Sequence, residues 1–270
     1  MNPLEHLKFI DSGYDRDAAL DVSYHMPLVA LSILLAVLAS YVALEVANKL
    51  AQTGDFQGRN LWVIGGALPM GLGIWAMHFV GMMAFELPVK IYFDMTITVI
   101  SIIPAILASY LAIHLIGRKQ AGVIHILGGG VLIGAGIGAM HYVGMMAMIL
   151  HADMYYRIDL FLLSVVAAVT LAILALVTSR SFGGATSTRG MKHILISSLV
   201  MGGAVSAMHY IAETSTVYMP STHMQMAMSG ATIEDLIMYT LLVSVVLGLC
   251  VVVVAELKVP DIHQQGTATE

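Results

Sequence analysis

Seven long apolar runs, at about residues 26–46, 61–85, 95–117, 122–150, 160–179, 194–212 and 236–255, constrain this chain more than any other feature. A helix needs roughly 20 apolar residues to cross a ~30 Å hydrocarbon layer, and each run is long enough. A membrane β-barrel would instead show alternating segments of about 10 residues, and none is present. Lipid offers backbone groups no partner, so all seven runs are expected to be helices. With 59% hydrophobic and 11% charged residues, the chain lies far from the soluble average of about 45–50% and 25%. A soluble enzyme and a disordered chain are both excluded. The net charge of -5 leaves no basic footprint for nucleic acid. A single cysteine, Cys250, rules out an internal disulfide and a cysteine-based zinc site. The expected fold class is an all-α polytopic membrane protein whose main solvent is the lipid bilayer.

Basic residues between the runs set the expected orientation. With the N-terminus outside, Lys49, Arg59, Arg118, Lys119, Arg180, Arg189, Lys192 and Lys258 lie inside, and Lys8, Arg16, Lys90 and Arg157 outside. The reading is therefore N-out and C-in. It divides the chain into a periplasmic segment over 1–25, a seven-helix membrane domain over 26–257 and a short cytoplasmic tail over 258–270. The tail is too short for an output module, so the chain is expected to signal through a partner or to be the sensing half of a longer protein.

Within the membrane domain a motif occurs three times. Gly73 to Phe85 reads GIWAMHFVGMMAF, Gly136 to Met148 reads GIGAMHYVGMMAM, and Ala204 to Glu213 reads AVSAMHYIAE. Chance gives about one Met-His pair for 20 Met and 11 His in 270 residues. Three pairs at one depth in alternate spans make a threefold repeat of helix pairs. An imidazole in lipid is costly, so His78, His141 and His209 should face the bundle interior. Residues four apart share a helix face, which sets Met82, Met145 and Glu213 beside the three histidines. Met77, Met140 and Met208 point about 100° away and read as packing or as outer support. Imidazole with thioether selects Cu(I), and imidazole alone also suits Zn or Fe. The competing reading is three buried histidines bonded to one another or to backbone carbonyls.

These residues resemble the MHYT family of bacterial integral membrane sensor domains, and the resemblance extends to residues 28–41 of the first run. It implies a seven-helix domain of the bacterial inner membrane that holds copper through Met, His and Tyr. It also implies sensing of a diatomic gas (oxygen, carbon monoxide or nitric oxide) or of redox state. Phe79 stands where the family name has Tyr, and Ala212-Glu213 stand where the family usually has Gly-Met. Tyr142, Tyr210, His25 and Glu86 are further candidates near the layer. His25 also reads as a helix cap and Glu86 as a rim residue. His223, Met224 and Met226 form a soft-ligand cluster after the sixth run, or a merely apolar interfacial cap. The glycines around the motifs read as sites of close helix packing.

A sensor that signals through a cytoplasmic protein or a homo-oligomer is the leading function. A metal-dependent membrane oxidoreductase or hydrolase ranks below it, because no general base and nucleophile pair stands out. Copper transport or delivery ranks lowest, because the spans below the motifs carry almost no polar ligands.

Overall fold

The computed structural model describes residues 8–53, 59–118, 122–181, 191–221 and 230–256. Strands β1 (Phe9–Ile10) and β2 (Ser23–Tyr24) precede helices α1 (Met26–Thr53) and α2 (Arg59–Ala84). Strands β3 (Phe85–Glu86) and β4 (Ile91–Phe93) lead into α3 (Met95–Ile100) and α4 (Ile102–Ile116). Helix α5 (Val123–Met146) is followed by β5 (Met148–Leu150), β6 (Ala152–Arg157) and α6 (Ile158–Ser181). Helix α7 (Met191–Glu213) is followed by β7 (Thr216–Pro220) and α8 (Ile233–Glu256). Among the described residues, seven helical spans are long and apolar enough to cross a membrane, with α3 and α4 forming one of them. The chain is a polytopic helical membrane protein, as its apolar runs require.

Local chemistry explains the punctuation. Asp94 caps α3 by accepting from the backbone N–H groups of Thr96 and Ile97. Pro104 has no N–H to offer the carbonyl of Ile100, which accounts for the break at Ser101. Buried hydroxyls turn back onto their own helices, as Ser40 does onto Ala36 and Ser198 onto Ile194. This satisfies them where lipid cannot.

The threefold repeat is also a packing repeat. Gly71, Gly134 and Gly202 each lie seven residues before a motif histidine. A Cβ on Gly71 would fall 2.7 Å from Ile106 Cα, and one on Gly134 2.8 Å from Val169 Cα. On Gly202 it would fall 2.6 Å from Val37 Cα. Only glycine permits these backbone contacts. They pair α2 with α4, α5 with α6, and α7 with α1. The third motif helix thus takes the first span as its partner, which closes a ring of three pairs. Helix α8 stands outside the ring against α1 and α2, and its Leu241, Leu242, Val245 and Leu249 are exposed toward lipid.

At one end of the bundle the connections form a cap of small sheets. Strand β3 pairs with β2, β5 with β4, and β7 with β6, while β1 runs parallel to β6 on its other side. Each strand leaving a motif helix therefore pairs with the strand that enters a neighbouring helix pair, which staples the three pairs together. The sequence reading carries the second span to residue 85 and the fourth to 150. The helices end at Ala84 and Met146, because the residues that follow enter the cap strands. Under the cap lies an apolar cluster that includes Trp75, Phe79, Phe85, Phe93 and Tyr218.

Candidate metal centre

His78, His141 and His209 come from α2, α5 and α7 and meet on the axis of the ring, each fully or almost fully buried. Their Nδ1 atoms form a near-equilateral triangle. The sides are 3.1 Å (His78 to His209), 3.2 Å (His141 to His209) and 3.3 Å (His141 to His78). The rings stand at interplanar angles of 73–88°, like the blades of a propeller.

Hydrogen bonding alone serves this arrangement poorly. A neutral imidazole has one N–H and one lone pair. One Nδ1–H can be shared between the other two nitrogens, but a second would oppose it. The remaining rings must then carry their protons on Nε2. Among the described residues, none of the three Nε2 atoms has a hydrogen-bond partner. Unpaired buried donors cost roughly 1–3 kcal/mol each. A cation at the centre would instead give the three converging Nδ1 lone pairs a common partner, with each ring's proton then on Nε2. The point equidistant from the three Nδ1 atoms lies about 1.9 Å from each. Imidazole nitrogens bind a metal such as zinc at about 2.0–2.1 Å. The three residues fit a metal ion.

Glycine sets the ring orientation. A Cβ on Gly81 would lie 2.3 Å from His209 Nε2, and one on Gly144 2.3 Å from His78 Nε2. Both glycines stand three residues after a motif histidine, so each motif helix provides the floor for a neighbour's imidazole. The same position in the third repeat is Ala212, which is fully buried. With Nε2 pressed against backbone, Nδ1 is the nitrogen left to face inward.

The residue after each histidine braces it edge to face. The ring centroids are 4.7 Å apart for His78 and Phe79, 4.9 Å for His141 and Tyr142, and 4.6 Å for His209 and Tyr210. The two tyrosines do not point at the triangle. Tyr142 Oη meets Ser164 Oγ at 2.6 Å and Tyr210 Oη meets Ser32 Oγ at 2.7 Å, which bolts α5 to α6 and α7 to α1. Ser101 stands at the same offset from His78 as Ser164 does from His141, but the residue after His78 is Phe79, which has no phenol hydroxyl. All three serines donate to the carbonyl three residues back.

The thioethers sort into two layers. Met77, Met140 and Met208 are buried in the bundle core. Met82 and Met145 are buried in the apolar cluster beneath the cap. Glu213 is also buried, with Oε1 accepting from Tyr218 Oη at 3.4 Å and Oε2 unpartnered among the described residues. Its oxygens are not among the ligand atoms that lie within 4.8 Å of one another at the triangle. Burial, and then the charge of Glu213, raises the phenols of Tyr24, Tyr156 and Tyr218 above their ordinary range. All three stay protonated, and of them Tyr218 donates to the Glu213 carboxyl while Tyr156 donates to Met154 Sδ. His25 is exposed, and its carbonyl accepts from the N–H groups of Leu28 and Val29, a capping role. Glu86 is exposed and accepts from Ser23 Oγ across β2 and β3. His223, Met224 and Met226 lie outside the described residues.

Sequence reasoning missed the serine bolts and the glycine floors. Both left a trace as offsets shared by the first two repeats only. His78 to Ser101 and His141 to Ser164 are each 23 residues apart, and glycine follows the first two motif histidines by three.

Comparison with known proteins agrees with this geometry. The model of the MHYT family, described as a bacterial signalling protein N-terminal repeat, matches residues 14–55, 71–129 and 134–196, more than half of the chain. The chain belongs to the MHYT family. Its relatives include the cyclic di-GMP phosphodiesterase NbdA of Pseudomonas aeruginosa, 38% identical over 78% of this chain and 27% of that protein. The signalling protein YkoW of Bacillus subtilis is 32% identical over 80% of this chain and 26% of its own length. The bifunctional diguanylate cyclase/cyclic di-GMP phosphodiesterase MucR of Pseudomonas aeruginosa is 36% identical over 70% and 27%. The chain thus matches about a quarter of the length of these curated relatives. No solved structure matches it.

Proposed function

We propose that this MHYT domain is a bacterial inner-membrane sensor that holds one copper ion on the Nδ1 atoms of His78, His141 and His209. The observation that carries the reading is the triangle of three inward Nδ1 nitrogens, spaced to share one ion. Copper is favoured over zinc or iron by the buried thioethers of Met82 and Met145 one turn along the same helices. Such an ion would supply an open position for a diatomic ligand and a one-electron couple. Glu213, buried one turn beyond His209, supplies a negative charge on the cap side that offsets the ion's charge in a low-dielectric layer.

The rest of the reading concerns what these residues do. The glycine floors and aromatic braces hold the imidazoles to one geometry. A shift at any histidine therefore acts on its whole helix. The Tyr142–Ser164 and Tyr210–Ser32 bolts pass that shift to α6 and α1. The orientation proposed is N-out, with the cap periplasmic and the signal passed to a cytoplasmic partner or between copies of the chain. The relatives' names, which include cyclic di-GMP enzymes, support a signalling output of that kind.

Metal analysis of the purified protein, with absorption spectra before and after carbon monoxide, tests the proposal. The expected result is about one copper per chain and a spectral change on adding the gas. Replacing all three histidines by alanine should remove the metal and leave the helical content intact. Unchanged metal content in that triple variant would overturn the reading.

A further inference from the structure

Directly beneath the histidine layer, on its side away from the cap, lies an apolar cavity of about 40 Å³. Its position follows the repeat. Ile74, Ile137 and Val205, each four residues before a motif histidine, all line it. Met70, Ile133 and Met201, each eight residues before, line it as well. Residues four and eight apart share a helix face, and helical side chains lean toward the N-terminus. The imidazoles therefore lean toward this space, and the cavity is coaxial with the triangle.

Its lining decides what it can hold. Among the described residues that line it, Ser109 is the sole polar one, and its hydroxyl already donates to the Ala105 carbonyl at 2.7 Å. A volume near 40 Å³ is large enough for a water molecule, but a buried water needs two to four polar partners, and apolar cavities of this kind stay dry. The cap side of the triangle is closed by the packed aromatic cluster around Trp75, Phe79 and Phe93. Small side chains, including Ala112, Ala172 and Ala204, keep the cavity side open. That opening is a feature of the packing, since leucines at those places would fill it.

We propose that this cavity is a binding site for one small apolar molecule of two or three heavy atoms, taken up from the hydrocarbon layer. Its occupant meets the histidine triangle from within the membrane rather than through the cap. Occupancy of the cavity does not depend on the metal. Only the encounter with the triangle rests on the function proposed above, so failure of one can be told from failure of the other.

Xenon, a spherical apolar probe, tests the site in metal-free crystals of the full chain under gas pressure. The parent should show one anomalous peak bounded by Ile74, Ile137 and Val205. Ala172→Val, which adds two methyl-sized groups to the lining, should lower its occupancy at least tenfold without changing copper stoichiometry in a separately loaded sample. Ala204→Val provides the same test should the first variant fail to fold. Absence of a peak in the parent, ordered water in the cavity, or equal occupancy in both variants would overturn the proposal.

Discussion

Substituting Gly81 by alanine tests the link between backbone packing and the histidine triangle. The new Cβ would stand 2.3 Å from His209 Nε2, 3.0 Å from Cδ2 and 3.2 Å from Cε1. Ordinary carbon contacts lie at about 3.5–4.0 Å, so the imidazole must move by roughly 1.2 Å. It has no room to move straight inward, because the other two Nδ1 atoms are only 3.1 and 3.2 Å from its own. The ring must leave its rotamer and turn out of the triangle. Overpacking of this kind costs typically 1–3 kcal/mol, and the lost ligand should weaken metal binding at least ~100-fold, or about 2.8 kcal/mol. Gly144→Ala should act in the same way through His78. Gly138→Ala is the control on the same helix as Gly144, since a Cβ there meets nothing within 4 Å. It should leave metal affinity unchanged and stabilise the helix by about 0.5–1 kcal/mol. Competitive metal titration and thermal unfolding of the purified variants give both quantities. Metal affinity in Gly81→Ala within threefold of the parent would refute the claim that glycine fixes the histidine orientation.

Phe79→Tyr should complete the third bolt by meeting Ser101, with a gain of about 0.5–1.5 kcal/mol in thermal unfolding; a loss would mean that the packing around Phe79 leaves the hydroxyl no path to the serine. Tyr218→Phe removes the donor to Glu213 Oε1 and should cost about 1–2 kcal/mol. Adding Glu213→Met to it should recover most of that loss, since an apolar side chain then fills the place that Met82 and Met145 hold in the other repeats. A double variant no more stable than the single one would argue against a buried, underpaired carboxyl. A reporter active only in the periplasm, fused after residue 270, should stay silent, whereas strong activity there would reverse the proposed orientation.

The parts of this fold that were legible in the sequence are those set by periodicity and solvent. Uninterrupted apolar runs specify spans because lipid leaves the backbone no alternative. The repeated Met-His pairs placed three imidazoles at one depth, since two spans and their connections separate each pair. The motif did not reveal which helices pair, because the α7 partner is α1, at the far end of the sequence. That contact rests on Gly202 and Val37, and glycine spacing alone does not name the surface it meets. The cap was hidden for another reason. Segments such as Phe85–Glu86 and Met148–Leu150 are too short to show a strand period, and they pair only with distant segments. Tyr142 and Tyr210 looked like candidates near the metal, but a phenol at i+1 turns about 100° from the histidine face and meets a neighbouring serine instead.

The central claim is that three imidazole nitrogens share one metal ion. X-ray absorption spectroscopy at the copper edge of the loaded, purified protein tests it most directly. The account predicts three nitrogen donors at about 2.0–2.1 Å with the outer-shell scattering of imidazole rings, and loss of that pattern in the triple histidine variant. A protein that takes up no copper at full supply, or a bound ion whose shell lacks imidazole scattering, would contradict it.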